Sequence, residues 1–140
     1  MSKDARAALV ASIAVLVVIV LGFRVLGGPG TQRLVRSDEH TVRSLAELAQ
    51  KIQEKRLASN QELPPTLEGL PENLKQDALT HKPFIYRPKS KTAYELCATF
   101  ITDNRQLEPG EAQDSWHHPK GDFCFQLDAT QSVPPAPFYY

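Results

Sequence analysis

Residues 7–23 read AALVASIAVLVVIVLGF, an uninterrupted apolar run bounded by Arg6 and Arg24. A run of about 17 residues is at the lower limit for a helix that spans a bilayer. If the Arg24 side chain reaches the interface, the apolar stretch continues to Gly28 and becomes about 22 residues long, which is a comfortable span. The sequence therefore predicts a single membrane anchor at residues 7–28.

The segment behind this run does not resemble a signal-peptide cleavage site. Such a site needs small residues, whereas the chain has Arg24, Leu26 and Pro29 there. We therefore expect the anchor to be retained and to contact membrane lipid.

Charge and cysteine content point to opposite orientations of the anchor. Two basic residues, Lys3 and Arg6, precede the span, and three follow it, namely Arg24, Arg33 and Arg36. Because basic residues favour the cytoplasmic side, this difference of one charge favours an external N-terminus. Paired cysteines in the C-terminal part instead favour an oxidising compartment for that part. We predict a single-pass protein of a bacterial inner membrane, with residues 1–6 in the cytoplasm and the C-terminal domain in the periplasm.

About 110 residues follow the anchor, enough for one small domain. The formal net charge of the chain is zero and it contains no basic tract. Nucleic-acid binding therefore has no electrostatic basis.

A break and then a second helix are predicted after the span. Residues 29–36 follow two glycines and contain Pro29 and Gly30, so we expect a linker there. Ser37 is a suitable N-cap for a helix that continues to Leu57. Apolar side chains recur on one face of that helix at helical spacing, at Val42, Leu45, Leu48, Ala49 and Ile52. We expect this face to pack on a sheet, with a partner-binding stripe as the alternative.

Three later segments, 84–87, 92–102 and 122–127, have the composition or alternation of β-strands. If the last two pair antiparallel, Phe123 and Phe125 lie beside Leu96 and Phe100 on a core face. The same register places Cys124 beside Cys97 on the opposite face. Because one register satisfies both conditions, we predict that pairing.

The two cysteines, Cys97 and Cys124, are predicted to form a disulfide. The bridge would close a loop of about 26 residues and contribute about 3–4 kcal/mol through chain entropy. The alternative is a metal site that adds His117 and His118. Adjacent histidines are not the usual zinc spacing, so we expect no metal and place both histidines on a solvated turn.

Motifs of catalysis and cofactor binding are absent from the sequence. It contains no nucleophile elbow, phosphate-binding loop, dinucleotide glycine pattern, metalloprotease motif or haem attachment site. We therefore predict a protein that is not an enzyme and has no cofactor.

Exposed aromatic residues are candidates for partner binding. Residues 129–140 form a proline-rich tail that ends in Phe138, Tyr139 and Tyr140, and Trp116 lies in the polar loop before the last strand. These four residues are the candidate partner-binding residues. The alternative is that the tail folds back over its own sheet.

Three segments carry a resemblance to known proteins: LPPTL at residues 63–67, DALTHKPFIYR at 77–87 and YELCATF at 94–100. The chain resembles the type IV pilins and pseudopilins, such as type II secretion protein G. The resemblance implies an α+β fold, in which an N-terminal transmembrane helix is followed by an amphipathic helix packed on a small antiparallel sheet of three or more strands. Residues 37–128 would form this pilin-like periplasmic domain. The prepilin processing motif is absent, because Asp4-Ala5-Arg6 precedes the apolar run and no glutamate lies within it.

These features together predict a non-catalytic, membrane-anchored accessory subunit. It would stabilise a larger membrane protein complex, such as a respiratory or photosynthetic reaction-centre assembly, and bind the other subunits through its span and its domain. One alternative is a pseudopilin-type component of a secretion or type IV pilus system. A second is a ligand- or metal-binding envelope domain that uses Trp116, His117 and His118.

Overall fold

The computed structural model describes residues 3–26, 29–60, 62–105 and 114–136. Two helices precede an antiparallel sheet of three strands, which confirms the predicted α+β layout. The elements are α1 (Lys3–Leu26), α2 (Pro29–Ala58), β1 (Ile85–Pro88), β2 (Ala93–Phe100) and β3 (Gly121–Asp128), with 3-10 turns at Glu72–Leu74 and Asp114–Trp116. The chain divides into two compact units, Met1–Arg33 and Leu34–Tyr140.

Helix α1 contains the apolar run. Its segment Asp4–Arg24, 21 residues, is long and apolar enough to cross a membrane, and none of its most apolar window is buried within the chain. A signal sequence near the N-terminus can meet the same criterion. The structure therefore supports an apolar N-terminal helix of spanning length.

Helix α2 begins at Pro29, eight residues before the predicted start at Ser37. The linker prediction for residues 29–36 was therefore wrong. Proline is compatible with the first turn of a helix, because the N–H group that it lacks would have no partner there. Ser37 is not an N-cap but lies within α2, where its carbonyl accepts a hydrogen bond of 3.2 Å from the Thr41 hydroxyl.

The sheet has the order β1-β2-β3, and both pairs are antiparallel. Leu96 lies opposite Phe125 and Cys97 opposite Cys124, which confirms the predicted register. Phe100 lies opposite Gly121 and contacts the Phe125 ring edge-on at 5.9 Å. The observed strands differ from the predicted ones by only one or two residues at each end.

The apolar stripe of α2 packs in the core, as expected. Its side chains are buried with those on one face of the sheet, so the partner-binding alternative does not apply to this stripe. The buried set includes Val42, Leu45, Leu48, Ala49, Ile52, Tyr94, Leu96, Ala98 and Phe100.

Two buried aspartates connect α2 to the loops around the sheet. The Asp38 carboxylate accepts hydrogen bonds from the N–H groups of Ile101 (2.9 Å) and Thr102 (2.6 Å) and from the Thr102 hydroxyl (2.6 Å). The Asp77 carboxylate accepts from the Thr41 hydroxyl and from the loop that follows it. Asp38 therefore connects the end of β2 to α2.

Candidate functional site

The sulfur atoms of Cys97 and Cys124 are 2.09 Å apart and form a disulfide, as predicted. A Glu95 carboxylate oxygen lies within 4.8 Å of both sulfurs, on the same face of the sheet. This trio has the residue types of a metal site. The sulfurs are bonded to each other, however, and a metal requires thiolates. In the oxidised protein the two cysteines are therefore a structural crosslink and cannot act as thiolate ligands.

His118 lies in the core and not on a solvated turn, so that prediction was wrong. Its ring stacks on the Phe100 ring with centroids 3.7 Å apart, and its side chain is 1% exposed. Burial lowers the pKa of His118, and the nearby carboxylates of Asp38 and Asp103 offset only part of this effect. Phe100 belongs to the core face of the sheet, whereas the cysteines lie on the opposite face. The structure therefore does not bring His118 to the cysteines as a fourth metal ligand.

Trp116 is also a core residue. It is fully buried, its ring packs edge-on against Phe125 at 4.9 Å, and its Nε1–H donates to the Pro134 carbonyl at 3.1 Å. Trp116 therefore has no surface to offer a partner in this structure. A polar, proline-containing loop led to the expectation of exposure, but Phe125 of β3 gives the indole an apolar contact and the Pro134 carbonyl of the tail gives it an acceptor.

The described part of the tail folds back on its own domain. The Gln53 amide donates to the Gln131 carbonyl, and the Val133 and Ala136 side chains pack against the core. Residues 131–136 therefore follow the alternative in which the tail folds back on its own domain and does not extend toward a partner. Phe138, Tyr139 and Tyr140 lie outside the described residues, so their partner binding stays a prediction.

A polar cavity of about 240 Å³ lies between α2, the tail and the ends of β2 and β3. Tyr94 is one of its lining residues, and among the described residues no group forms a hydrogen bond with the buried Tyr94 hydroxyl. Burial is the main reason that the pKa of Tyr94 is raised. The alternation of β2 placed Tyr94 in the core but gave no sign that its hydroxyl lacks a partner. The lining residues are Gln53, Tyr94, Ser115, Gln126, Leu127, Asp128, Gln131, Ser132, Val133 and Pro134.

The volume and the polar lining of this cavity suit ordered water molecules better than a substrate. Its volume is below the roughly 300–1,000 Å³ of typical ligand pockets. It is large enough for ordered waters, which commonly satisfy buried polar groups such as the Tyr94 hydroxyl. We therefore assign the cavity no catalytic role.

Comparison of the chain with protein families, curated proteins and solved structures finds no match. The resemblance to pseudopilins therefore stays a prediction from the three quoted segments.

Proposed function

We propose that this protein is a non-catalytic, single-pass accessory subunit that stabilises a larger membrane complex. In this proposal α1 is retained in the bilayer, and the disulfide-linked domain lies on the oxidising, periplasmic side. The other subunits contact both parts.

The single observation that carries this proposal is the exposure of α1. Its large apolar side chains are roughly half or more exposed, from Leu9 at 54% to Phe23 at 60%. Eleven Leu, Ile, Val or Phe side chains occupy residues 7–23. At about 0.3–0.6 kcal/mol each they favour insertion by roughly 3–7 kcal/mol. A lipid bilayer or the helices of other subunits would cover this surface.

The disulfide supports the proposed side of the membrane. Such bridges persist in oxidising compartments and are rare where thiols are kept reduced. The small domain is also held together in several ways. Helix α2 packs on the sheet, the buried carboxylates of Asp38 and Asp77 accept hydrogen bonds across elements, and the described part of the tail packs against the core.

Co-purification tests the proposal. The tagged full chain, extracted from its native membrane in a mild detergent, should elute with other membrane proteins at a fixed ratio. A Val17→Arg/Val18→Arg variant should lose these partners, because two arginines at the helix centre oppose insertion by about 5–7 kcal/mol. Elution of the intact wild-type chain alone would contradict the proposal.

A pseudopilin-type role is the second candidate. The packing of α2 on a three-stranded antiparallel sheet is the observation that favours it. Mass spectrometry of the mature N-terminus separates the two proposals. A pseudopilin would begin with a methylated residue next to the apolar run, whereas an accessory subunit would retain the residues that precede it.

A further inference from the structure

The first two turns of α2 do not take part in the core of the domain. Residues 30–34 and Arg36 are exposed. The first buried residue of the helix is Asp38, and its first residue in the hydrophobic core is Val42. The boundary between the two compact units also falls within these turns, at Arg33. Because the stability of a helix in a protein comes mostly from tertiary packing, these turns would gain from a contact outside the described chain.

The same turns carry positive charge that the described chain leaves largely uncompensated. Residues 29–37 contain Arg33 and Arg36 and no acidic residue. Neither guanidinium group forms an ion pair with a described residue. Glu39 interacts electrostatically with Arg36 and offsets part of its charge, whereas the Asp38 carboxylate already accepts hydrogen bonds at the end of β2. The start of α2 is therefore a positively charged segment that favours an anionic partner.

The position of these arginines in the chain indicates which anionic partner is within reach. The predicted anchor ends at Gly28, one residue before α2 begins at Pro29. An α-helix rises about 1.5 Å per residue, so Arg33 and Arg36 lie about 6 and 11 Å along α2 from its first residue. The polar layer of one leaflet is roughly 5–8 Å thick. If residues 7–28 span the bilayer, both side chains can therefore reach the phosphates of the lipid headgroups.

The distribution of side chains around the helix favours lipid over a protein partner. Successive residues of an α-helix differ in direction by about 100°. Arg33, Leu34 and Arg36 therefore point to different sides of α2, and all three are exposed, Leu34 at 43%. A protein partner would cover one side of the helix, whereas the interfacial layer of a bilayer surrounds it. That layer offers phosphates to the guanidinium groups and apolar surface to the leucine.

We propose that the first two turns of α2 lie in the headgroup layer and that Arg33 and Arg36 bind the phosphates of anionic phospholipids. This inference rests on the proposed function, because it requires α1 to span the bilayer. It names lipid as the partner of this segment. One basic residue near an anionic membrane surface contributes roughly a fivefold preference, so the two arginines together should produce a preference of roughly tenfold or more.

Lipid retention tests this assignment. The full chain is reconstituted into nanodiscs with equal amounts of phosphatidylglycerol and phosphatidylcholine, and the lipids that remain bound after release are counted by native mass spectrometry. The wild type should retain phosphatidylglycerol over phosphatidylcholine by roughly tenfold or more. An Arg33→Gln/Arg36→Gln variant should show a preference of about twofold or less. An Arg33→Lys/Arg36→Lys variant keeps both charges and should stay within about threefold of the wild type.

Arg43 provides a matched control on the same helix. Its side chain is also exposed, but it lies about 10 Å farther along α2 than Arg36. This distance exceeds the Debye length of about 8 Å at physiological ionic strength. Arg43→Gln should therefore leave the lipid preference within about twofold of the wild type. A decrease as large as that of the Arg33→Gln/Arg36→Gln variant would show a general effect of net charge and would contradict the assignment.

The outcomes also separate this inference from the proposed function. A wild-type chain that does not enter the nanodiscs would contradict the membrane anchor, and the proposed function would fail with it. A wild-type chain that enters them but retains the two lipids equally would overturn this inference and leave the proposed function standing. If the Arg33→Gln/Arg36→Gln variant keeps its lipid preference but loses a co-purifying protein from native membranes, the arginines bind protein, and the inference is again overturned.

Discussion

At the residue scale, alternation predicted which side chains face the core, but it did not predict the long-range polar contacts. The pairing of Cys97 with Cys124 could be predicted because the apolar contacts on the core face and the cysteine pair on the opposite face require the same register. The hydrogen bonds of Asp38 reach residues more than 60 positions away. Such contacts depend on which distant segments meet in the fold, and the periodicity within one helix or strand does not show this.

Asp38 should contribute strongly to stability. Replacing Asp38 with alanine leaves the N–H groups of Ile101 and Thr102 without their acceptor in a part-buried site. We expect a loss of about 1.5–3 kcal/mol in the free energy of unfolding. Denaturant unfolding of the full chain in detergent, followed by fluorescence of the buried Trp116, measures this loss. Asp38→Asn keeps one acceptor oxygen and should lose less; equal stability of all three proteins would refute the assigned role.

His118 should make stability depend on pH. Its pKa in the folded chain lies below the usual 6.5, mainly because of burial. The unfolded chain therefore binds the proton more readily, so stability is full above about pH 6.5 and falls as the pH drops toward the folded pKa. Hydrogen bonds lower the pKa of Asp77, although its burial opposes this, so its contribution is lost only as the pH falls below about 4.

The measurement is the unfolding midpoint at pH 7.5 and at pH 5.5. His118→Phe preserves an aromatic ring against Phe100 but does not titrate, so it should flatten the pH dependence. A matched His40→Phe variant changes an exposed histidine of α2 and should retain the wild-type slope. An unchanged slope in His118→Phe would exclude His118 as its source.

At the element scale, strands were predicted more accurately than helix boundaries. Alternation and the paired cysteines fixed β2 and β3 to within about two residues. The two glycines and Pro29 indicated a break, which moved the predicted start of α2 to Ser37. A proline at the first position of a helix has the same sequence signature as a proline in a linker, and only the hydrogen bonds of the following turn distinguish them.

The disulfide is expected to stabilise the β2–β3 pair. It joins residues 27 positions apart. Replacing both cysteines with alanine should lower the free energy of unfolding by about 3–4 kcal/mol, since the unfolded chain gains the freedom of that loop. Reduction of the wild-type protein should cause a similar loss, whereas the double variant should not respond to reductant. A double variant as stable as the oxidised wild type would contradict this expectation.

At the scale of the whole molecule, the chain combines an exposed apolar helix with a small domain crosslinked by a disulfide. The sequence predicted both features, because length, apolar content and strand register are local properties. It did not predict that Trp116 and His118 complete the core, since their loop has the composition of a solvated segment. For partner binding the sequence offered only the aromatic candidates Trp116, Phe138, Tyr139 and Tyr140, and the structure places Trp116 in the core.

The central claim is that α1 stays attached while the cysteine-bearing domain resides in an oxidising compartment. The most direct test is the intact mass of the protein from carbonate-washed membranes, with free thiols alkylated before lysis. We predict a mass that includes α1, is two hydrogens below that of the reduced chain and carries no alkyl group. A soluble product that lacks α1, or a chain alkylated at both Cys97 and Cys124, would contradict the account.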